Sequence, residues 1–160
     1  MTQPSATTVT AYFDSSALVK RYMTEIGTAW VQAWCDDPAQ TIAVAEIGLV
    51  EIAAAFAGKL RGAGITSQAY RDARTDLEAD AQDEYVLVDI DRSIVNDAIQ
   101  LTEQHRLRGY DAIHLACAIR LNNALVAHDL PTLVLVSADD DLLTAATAEG
   151  IHTVNPNDHP

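Results

Sequence analysis

The sequence predicts an α/β protein of three layers, in which helices cover both faces of a central parallel sheet of about five strands. Short apolar runs rich in β-branched residues alternate with longer segments of helical periodicity along the 160 residues. Such alternation is typical of parallel sheets buried on both faces. No repeat, low-complexity tract or linker-like stretch interrupts it between residues 8 and 154, so we expect a single domain over residues 1–160.

The predicted elements follow one another in a regular order. The strands are residues 8–13 (TVTAYF), 41–45 (TIAVA), 85–89 (YVLVD), 132–137 (TLVLVS) and 151–154 (IHTV). The helices lie near residues 15–22, 26–36, 46–61, 66–82, 91–106, 110–127 and 140–149. Glycines at positions 62, 64, 109 and 150 mark helix ends, where glycine is common. The tail from residue 155 to residue 160 is expected to be frayed.

Two acidic residues directly follow predicted strands. Asp14 closes VTAYFD, and Asp139 comes just after TLVLVSA. In open parallel sheets, ligands bind beyond the carboxyl ends of the strands, although each of these acids could simply cap the next helix. The run from Asp139 to Asp141 exceeds what a cap needs, and its charges repel one another. We therefore expect at least one of the three to meet a cation.

Glu51 is a third candidate, because it lies within the apolar helix IGLVEIAAAFAG. The residues three and four positions away supply no cation; they are Ile47, Gly48, Ala54 and Ala55. A carboxylate buried without a partner is costly, and a metal ion or a distant charge would remove that cost. Glu46 lies about 140° away around the helix, in a first turn where the helix dipole accounts for it. We favour Glu51.

Asp111 begins the apolar helix YDAIHLACAIRL, with Arg108 as a possible partner before it. An aspartate here is a common helix-start signal and equally a candidate ligand. His114, on the same face, is expected to be packed or hydrogen-bonded. Asp14, Glu51, Asp111 and Asp139 together form an oxygen-only set that suits Mg²⁺ or Mn²⁺. Zinc is disfavoured because His and Cys show no ligand spacing.

Composition and charge limit the function classes. The formal net charge of −13, from 23 acids and 10 Lys and Arg, argues against a nucleic-acid coat but is consistent with carboxylates concentrated around a divalent metal. No apolar run approaches the ~20 residues of a membrane span, and the N-terminus lacks a secretory pattern. Cys35 and Cys117 form no motif, so we expect reduced, buried thiols in a cytoplasmic protein without membrane association.

Four segments in order, AYFDSSALVKRY, VEIAAAFAGKLR, YDAIHLACAI and VSADDDLLTAATAEGI, resemble the successive motifs of PIN-domain ribonucleases of the VapC type, the toxins of type II toxin–antitoxin systems. The resemblance covers the chain from Tyr12 to about Pro156. It implies a sheet in the order 3-2-1-4-5, a homodimer, and a VapB-like antitoxin as partner. It also implies Mg²⁺- or Mn²⁺-dependent cleavage of RNA, leaving 5′-phosphate and 3′-hydroxyl ends. The implied site is the quartet Asp14, Glu51, Asp111 and Asp139, with Ser16 and Ser137 in support.

The sequence departs from the family pattern in three respects. RLNNALVAHDLPTLVLVS is longer than in compact members, and the triple Asp leaves Asp141 as an alternative last ligand. The negative charge requires local contacts to RNA, for which the candidates are Lys20, Arg21, Lys59, Arg61, Arg106 and Arg108. An antitoxin groove could be lined by Trp30, Val31, Trp34 and Leu49, although packing of the two tryptophans against each other is the simpler interpretation.

Other function classes remain as alternatives. A stand-alone RNA-processing PIN nuclease would use the same site without an antitoxin. A non-catalytic α/β module could use an acidic groove to capture a basic peptide. A phosphoacceptor receiver domain is disfavoured, because paired acids after the first strand and a lysine after the last are absent from the sequence.

Overall fold

A computed structural model describes residues 8–160 of the chain. Its five strands are β1 (Val9–Phe13), β2 (Gln40–Ala45), β3 (Tyr85–Val88), β4 (Val134–Val136) and β5 (His152–Val154). The α-helices of this part of the chain are α1 (Ser15–Tyr22), α2 (Thr28–Asp36), α3 (Glu46–Arg61), α4 (Ser67–Asp83), α5 (Arg92–Gln104), α6 (Gly109–Ala127) and α7 (Asp140–Ala148). A short 3₁₀ turn, Pro156–Asp158, follows β5. The predicted elements are all present, with shifts of a few residues at their ends.

The five strands form one parallel sheet in the order β3-β2-β1-β4-β5. The α/β class and this strand order, which the family resemblance implied, are therefore confirmed. The first strand lies at the centre, where Ala11 pairs with Ile42 of β2 on one side and Val134 of β4 on the other. Because β1 and β4 are neighbours, the residues that follow them come close together. Asp14 follows β1, and Ser137 follows β4.

Successive residues of β1 point to opposite faces of the sheet, so each face has its own apolar core. On one face, Tyr12 packs with residues of α5, α6 and α7, among them Leu115. On the other, Phe13 packs with residues of α1, α2, α3 and α4, among them Leu18 and Phe56. All five of these side chains are fully buried. Burial on both faces is what makes the strands read as continuous apolar runs rather than as alternating ones.

The segment RLNNALVAHDLPTLVLVS, residues 120–137, folds as the end of a helix, a turn and a strand. Helix α6 continues to Ala127, and Asp129 then adopts a left-handed backbone with φ of 56°. The chain returns to the sheet where the backbone N–H of Leu133 donates to Oδ1 of Asn122 at 2.9 Å. Leu133 is thus tied to α6 by a side chain, and β4 begins one residue later, at Val134.

The C-terminal tail is ordered against α2, so the expectation that it frays is wrong. Pro156 is buried, and Asn155 caps the 3₁₀ turn by accepting the backbone N–H of Asn157 at 2.9 Å. The imidazole of His159 stacks on the indole of Trp30, with ring centroids 4.8 Å apart. Tryptophan supplies the apolar area that this short segment needs for its packing.

Both cysteines are free thiols, as expected, but only Cys117 is buried. Cys35 is half-buried at the end of α2, so its predicted full burial is wrong. Desolvation raises the pKa of Cys117 to about 11 and that of Cys35 to about 12. Neither thiol is therefore activated. In the described part of the chain, the longest apolar helices fall short of what a membrane crossing would require.

Candidate active site

Asp14 lies at the carboxyl end of the central strand, and its side chain is almost completely buried, with 4% of the residue exposed. It caps α1 by accepting the backbone N–H of Ala17 at 3.0 Å. It also accepts the hydroxyls of Ser16, at 2.8 Å, and of Ser137, at 2.7 Å. Burial raises the pKa of Asp14, against the opposing effects of these hydrogen bonds and of the positive charge that His114 carries when its ring is protonated. Both interpretations of Asp14, as a cap and as a site residue, fit this placement.

The two supporting serines connect the ends of β1 and β4. Ser16 Oγ accepts the backbone N–H of Ala138 at 2.9 Å, and Ser137 Oγ accepts the backbone N–H of Asp139 at 3.0 Å. Each hydroxyl thus donates to Asp14 and accepts from the loop that carries Asp139. This double use leaves little freedom for either serine, and it places Asp14 and the Asp139 loop in one hydrogen-bonded unit.

Asp139 is the member of the triple Asp that contacts the other site residues, whereas Asp141 lines the cleft beside Asp111. Its Oδ1 caps α7 by accepting the backbone N–H groups of Asp141, at 2.9 Å, and Leu142, at 3.1 Å. Its Oδ2 accepts from Nη2 of Arg108 at 2.9 Å. Asp139 is half-buried, whereas Asp140 and Asp141 are exposed. The cation that the sequence led us to expect beside this run is the Arg108 guanidinium.

Arg108 also joins Asp111 to this group. It lies just before α6, and its Nε donates to Oδ2 of Asp111 at 3.0 Å while its other end reaches Asp139. The side chain of Asp111 is 14% exposed, whereas that of Arg108 is 79% exposed. The carboxylates of Asp111 and Asp139 therefore line the inner side of the site, and the Arg108 guanidinium covers them on the solvent side.

Glu51 meets its partner in a residue far away in sequence. Its Oε2 lies 2.6 Å from Nε2 of His114, and the Glu51 side chain is 25% exposed. Burial alone would raise the pKa of Glu51, but the hydrogen bond from His114, the positive charge of His114 when its ring is protonated, and the effects of Ser15 and Arg108 hold that pKa below its ordinary value. Glu46 is exposed at the start of α3, which supports the choice of Glu51 over Glu46.

The four predicted acids thus approach one end of the sheet, but through intermediary side chains. Ser16 and Ser137 connect Asp14 to the Asp139 loop, Arg108 connects Asp139 to Asp111, and His114 connects Glu51 of α3 to α6. In this arrangement, no three acidic, His or Cys side chains of the described residues are close enough to one another to hold a metal ion. The donor set nevertheless fits a hard divalent ion, since all four donors are carboxylates and two of them already share one positive charge.

The family model of the PIN domain matches residues 11–147, which includes every one of these side chains. The chain belongs to the PIN-domain family. Ribonuclease VapC45 of Mycobacterium tuberculosis is 32% identical over 139 residues, which cover 87% of this chain and 90% of the relative. The VapC-type resemblance is thereby confirmed.

Two solved structures share the fold of this PIN domain. PAE2754 from Pyrobaculum aerophilum aligns with a TM-score of 0.63 at 16% identity, over 96% of this chain and 94% of that one. VapBC2 from Rickettsia felis, solved bound to a DNA fragment from its promoter, aligns with a TM-score of 0.60 at 12% identity, over 92% and 98%. At these identities the likeness concerns the fold alone.

Four of the six basic residues that we expected to contact RNA are paired with acids of the PIN domain. Lys20 and Lys59 both pair with Glu25, at 3.1 and 3.2 Å, and Lys20 is buried. Arg21 pairs with Asp80 and Glu84. Arg108 is likewise paired, with Asp111 and Asp139, and it lines a cleft beside Asp111 together with Arg106. Arg61 is exposed at the end of α3. Contact of these six residues with RNA stays a prediction.

The predicted antitoxin groove is also corrected at one position. Val31 is fully buried and is unavailable to a partner. Trp30 and Trp34 pack against each other, with centroids 5.0 Å apart, which confirms the simpler interpretation of their spacing. Leu49 lines a shallow apolar depression between α3 and α4 that has Val50 at its edge.

The role of His114 as a partner of Glu51 could not have been predicted from spacing. The two residues are 63 positions apart and lie on different helices. The sequence did indicate that His114 is packed or hydrogen-bonded, and this is confirmed by its burial and its two bonds. The bridging role of Arg108 was suggested only in part, through its proximity to Asp111.

Proposed function

We propose that this PIN domain is an endoribonuclease that hydrolyses RNA phosphodiester bonds with a divalent metal ion, Mg²⁺ or Mn²⁺. The observation that carries the proposal is the environment of Asp14. A carboxylate buried at the end of the central strand, with a raised pKa, is unfavourable unless a cation compensates it. The similarity to Ribonuclease VapC45 supports RNA as the substrate class.

Asp14, Glu51, Asp111 and Asp139 are the residues that would hold the ion. When bound, such an ion polarises the scissile phosphate and lowers the pKa of an attacking water. The protein's own contribution is to keep the carboxylates in place. Ser16 and Ser137 orient Asp14, the N-terminus of α7 orients Asp139, and a carboxylate of the quartet accepts the proton of the water.

The net charge of −13 requires that attraction to RNA be local. Arg106 and Arg108 lie at the rim of the cleft beside Asp111, where a phosphate would approach. A guanidinium binds phosphate through parallel hydrogen bonds, so Arg108 can exchange its carboxylate partners for the substrate. The proposed products carry 5′-phosphate and 3′-hydroxyl ends.

We further propose that a VapB-like antitoxin silences the enzyme, and that the enzyme acts as a homodimer. Arg108 supports the first proposal, since its pairing with Asp111 and Asp139 illustrates how a partner's arginine would engage this site. A basic, disordered segment could reach the carboxylates and compete with the metal. Purification with and without the product of the adjacent gene, followed by cleavage and growth assays, tests this. RNA cleavage without toxicity or a co-purifying partner would favour a stand-alone RNA-processing nuclease.

The central prediction is that cleavage needs the metal and the quartet. Cleavage of RNA should require Mg²⁺ or Mn²⁺ and stop in excess EDTA. Asp14→Asn, Glu51→Gln, Asp111→Asn and Asp139→Asn should each reduce the rate by at least about 100-fold, because each removes one charged ligand. The assay measures initial rates on a labelled RNA, with circular dichroism to check folding.

Two exposed acids supply matched controls. Glu46→Gln, on the same helix as Glu51, and Asp140→Asn, beside Asp139, should retain activity near that of the unmodified chain. Inactivation by Glu46→Gln with full activity of Glu51→Gln would show that the wrong glutamate was chosen. Undiminished cleavage in EDTA would exclude the metal mechanism. An absence of cleavage together with tight binding of a basic peptide would favour the non-catalytic module.

A further inference from the structure

We infer that Tyr12 and His114 form a buried relay that orients the carboxylate of Glu51, which makes His114 a positioning residue of the proposed active site. The role of Glu51 as a metal ligand in this inference depends on the proposed function. The relay itself is inferred from hydrogen-bond distances in the structure. His114 is 2% exposed and Tyr12 is fully buried, yet both have polar groups that must find partners.

The relay runs through three separate elements of the fold. The hydroxyl of Tyr12, on β1, lies 2.8 Å from Nδ1 of His114, on α6. Nε2 of the same ring lies 2.6 Å from Oε2 of Glu51, on α3. Both ring nitrogens are therefore bonded, one to an immobile core residue and one to the edge of the site. The central strand thus fixes the ring, and the ring fixes the carboxylate.

The two contacts fit a neutral His114 that is protonated at Nε2, and we assign this tautomer as part of the inference. When the Tyr12 hydroxyl donates to Nδ1, that nitrogen carries no proton, and Nε2 carries the proton that it donates to Glu51. The orientation of the carboxylate therefore depends on a hydroxyl that does not touch it. Histidines beside metal sites are commonly held in one tautomer by such a bond on the far nitrogen.

The packing of α3 on β2 leaves space for the His114 imidazole next to Glu51. Gly48 lies on α3 one turn before Glu51, and a Cβ at this position would be 3.4 Å from Cε1 of His114 and 2.9 Å from Val44. A side chain there would press on Val44 of β2, whereas its contact with the ring would be an ordinary one. Glycine is otherwise unfavourable within a helix, so its presence at position 48 allows α3 to pack closely on β2, beside the ring.

The test uses three variants of the full chain. His114→Leu fills the ring's space but removes both bonds, whereas His114→Gln keeps an amide N–H where Nε2 donates. Tyr12→Phe leaves the ring in place without its far partner. We expect His114→Leu to weaken Mn²⁺ binding, measured by calorimetry, by about 10- to 100-fold, as for other outer-shell partners. His114→Gln should recover most of that loss, and Tyr12→Phe should lie between.

Two readouts separate positioning from simple core packing. In the Glu51→Gln background, His114→Leu should cause no further loss of Mn²⁺ affinity, because the carboxylate that it orients is gone. Nitrogen-15 spectra of the imidazole should identify the Nε2–H tautomer in the unmodified chain and a mixture in Tyr12→Phe. If His114→Leu does not fold, His114→Gln and Tyr12→Phe carry the test alone.

The outcomes distinguish the relay from the function. Mn²⁺ affinity of His114→Leu equal to that of the unmodified chain, or an equal loss in the Glu51→Gln background, would overturn the relay. An Nδ1–H tautomer would also overturn it. An unmodified chain that binds Mn²⁺ but cleaves no RNA would refute the proposed function and leave the affinity test of the relay intact. A chain that binds no Mn²⁺ at all would refute both.

Discussion

Arg108 illustrates how one side chain can take the place of a metal ion. Its guanidinium pairs with Asp111 and Asp139 at 3.0 and 2.9 Å. The hydrogen bond to Asp111 and the negative charge of Asp111 raise the pKa of Arg108, and Asp139 adds to both effects. A divalent ion that binds these carboxylates must displace the guanidinium. The metal affinity that we propose for the unmodified chain would therefore be the outcome of a competition.

We predict that Arg108→Gln binds Mn²⁺ more tightly than the unmodified chain, by a factor of about 2 to 10, because the competing guanidinium is exposed and solvent weakens its ion pairs. RNA cleavage should nevertheless fall, since the phosphate contact is lost. Calorimetry and initial rates measure the two effects separately. Arg74→Gln, which removes an exposed arginine paired with Glu78 on α4, controls for the change in net charge. Weaker Mn²⁺ binding in Arg108→Gln alone would contradict the competition.

Asp14 should make the stability of the metal-free protein depend on pH. Its pKa is higher in the folded protein than in the unfolded chain, chiefly because it is buried. Between these two pKa values the folded state holds a proton that the unfolded state lacks, so stability falls as pH rises through this interval. At pH values above both pKa values, the charged Asp14 carboxylate continues to destabilise the metal-free fold.

Asp14→Asn removes this cost, so we predict a higher melting temperature for the metal-free variant at pH 7 than for the unmodified chain. The difference should shrink as pH is lowered to the ordinary range of an aspartate. Thermal unfolding in a chelating buffer at several pH values measures it. A melting difference that is independent of pH would show that the charge of Asp14 is not the cause.

The sequence indicated where the candidate acids lie in the fold, but not the contacts that they make. Asp14 and Asp139 could be placed because each directly follows a strand, and neighbouring parallel strands end at the same edge. Glu51 could be identified because it lacked a partner on its own helix. Its actual partner, His114, could not be identified, since the pairing depends on how α3 and α6 pack.

The ends of some helices differ from the predicted ends, because tertiary contacts determine where those helices begin. Helix α2 begins at Thr28 rather than near residue 26, because Gly27 adopts a left-handed φ of 84°. This conformation brings Gly27 against the backbone of Pro156 in the C-terminal 3₁₀ turn. Hydrophobic periodicity indicates that a helix exists, but it carries no information about a contact between residues so far apart in sequence.

We predict that Gly27→Ala is strongly destabilising. A Cβ at position 27 would lie 2.3 Å from the carbonyl oxygen of Pro156, in addition to the strain of the left-handed backbone. Gly150→Ala is the matched control, because Gly150 has a φ of 78° but open space around its missing Cβ. Gly150→Ala should cost about 1–2 kcal/mol from strain alone, and Gly27→Ala should cost more. Urea unfolding of both variants measures the difference, and equal losses would indicate that the tail does not press on Gly27.

At the scale of the whole molecule, the acidic surface and the proposed substrate repel each other. The chain carries −13, and Lys20, Arg21 and Lys59 are already paired with acids of the fold. Most nucleic-acid-binding proteins lose affinity as salt rises, because their basic surfaces release counterions. A protein with a strongly negative net charge should instead bind nucleic acid more tightly as salt rises from a low concentration.

We therefore predict that kcat/KM for a long RNA rises as monovalent salt increases from about 0.01 M to about 0.1 M, at a fixed saturating Mn²⁺ concentration. Over this range the Debye length falls from about 30 Å to about 10 Å, which screens the long-range repulsion but spares the short contacts of Arg106 and Arg108 at the cleft. A dinucleotide with a single phosphate is the control substrate, and its kcat/KM should change little. A steady fall of kcat/KM with salt for the long RNA would mean that attraction by the local arginines outweighs the charge of the whole molecule.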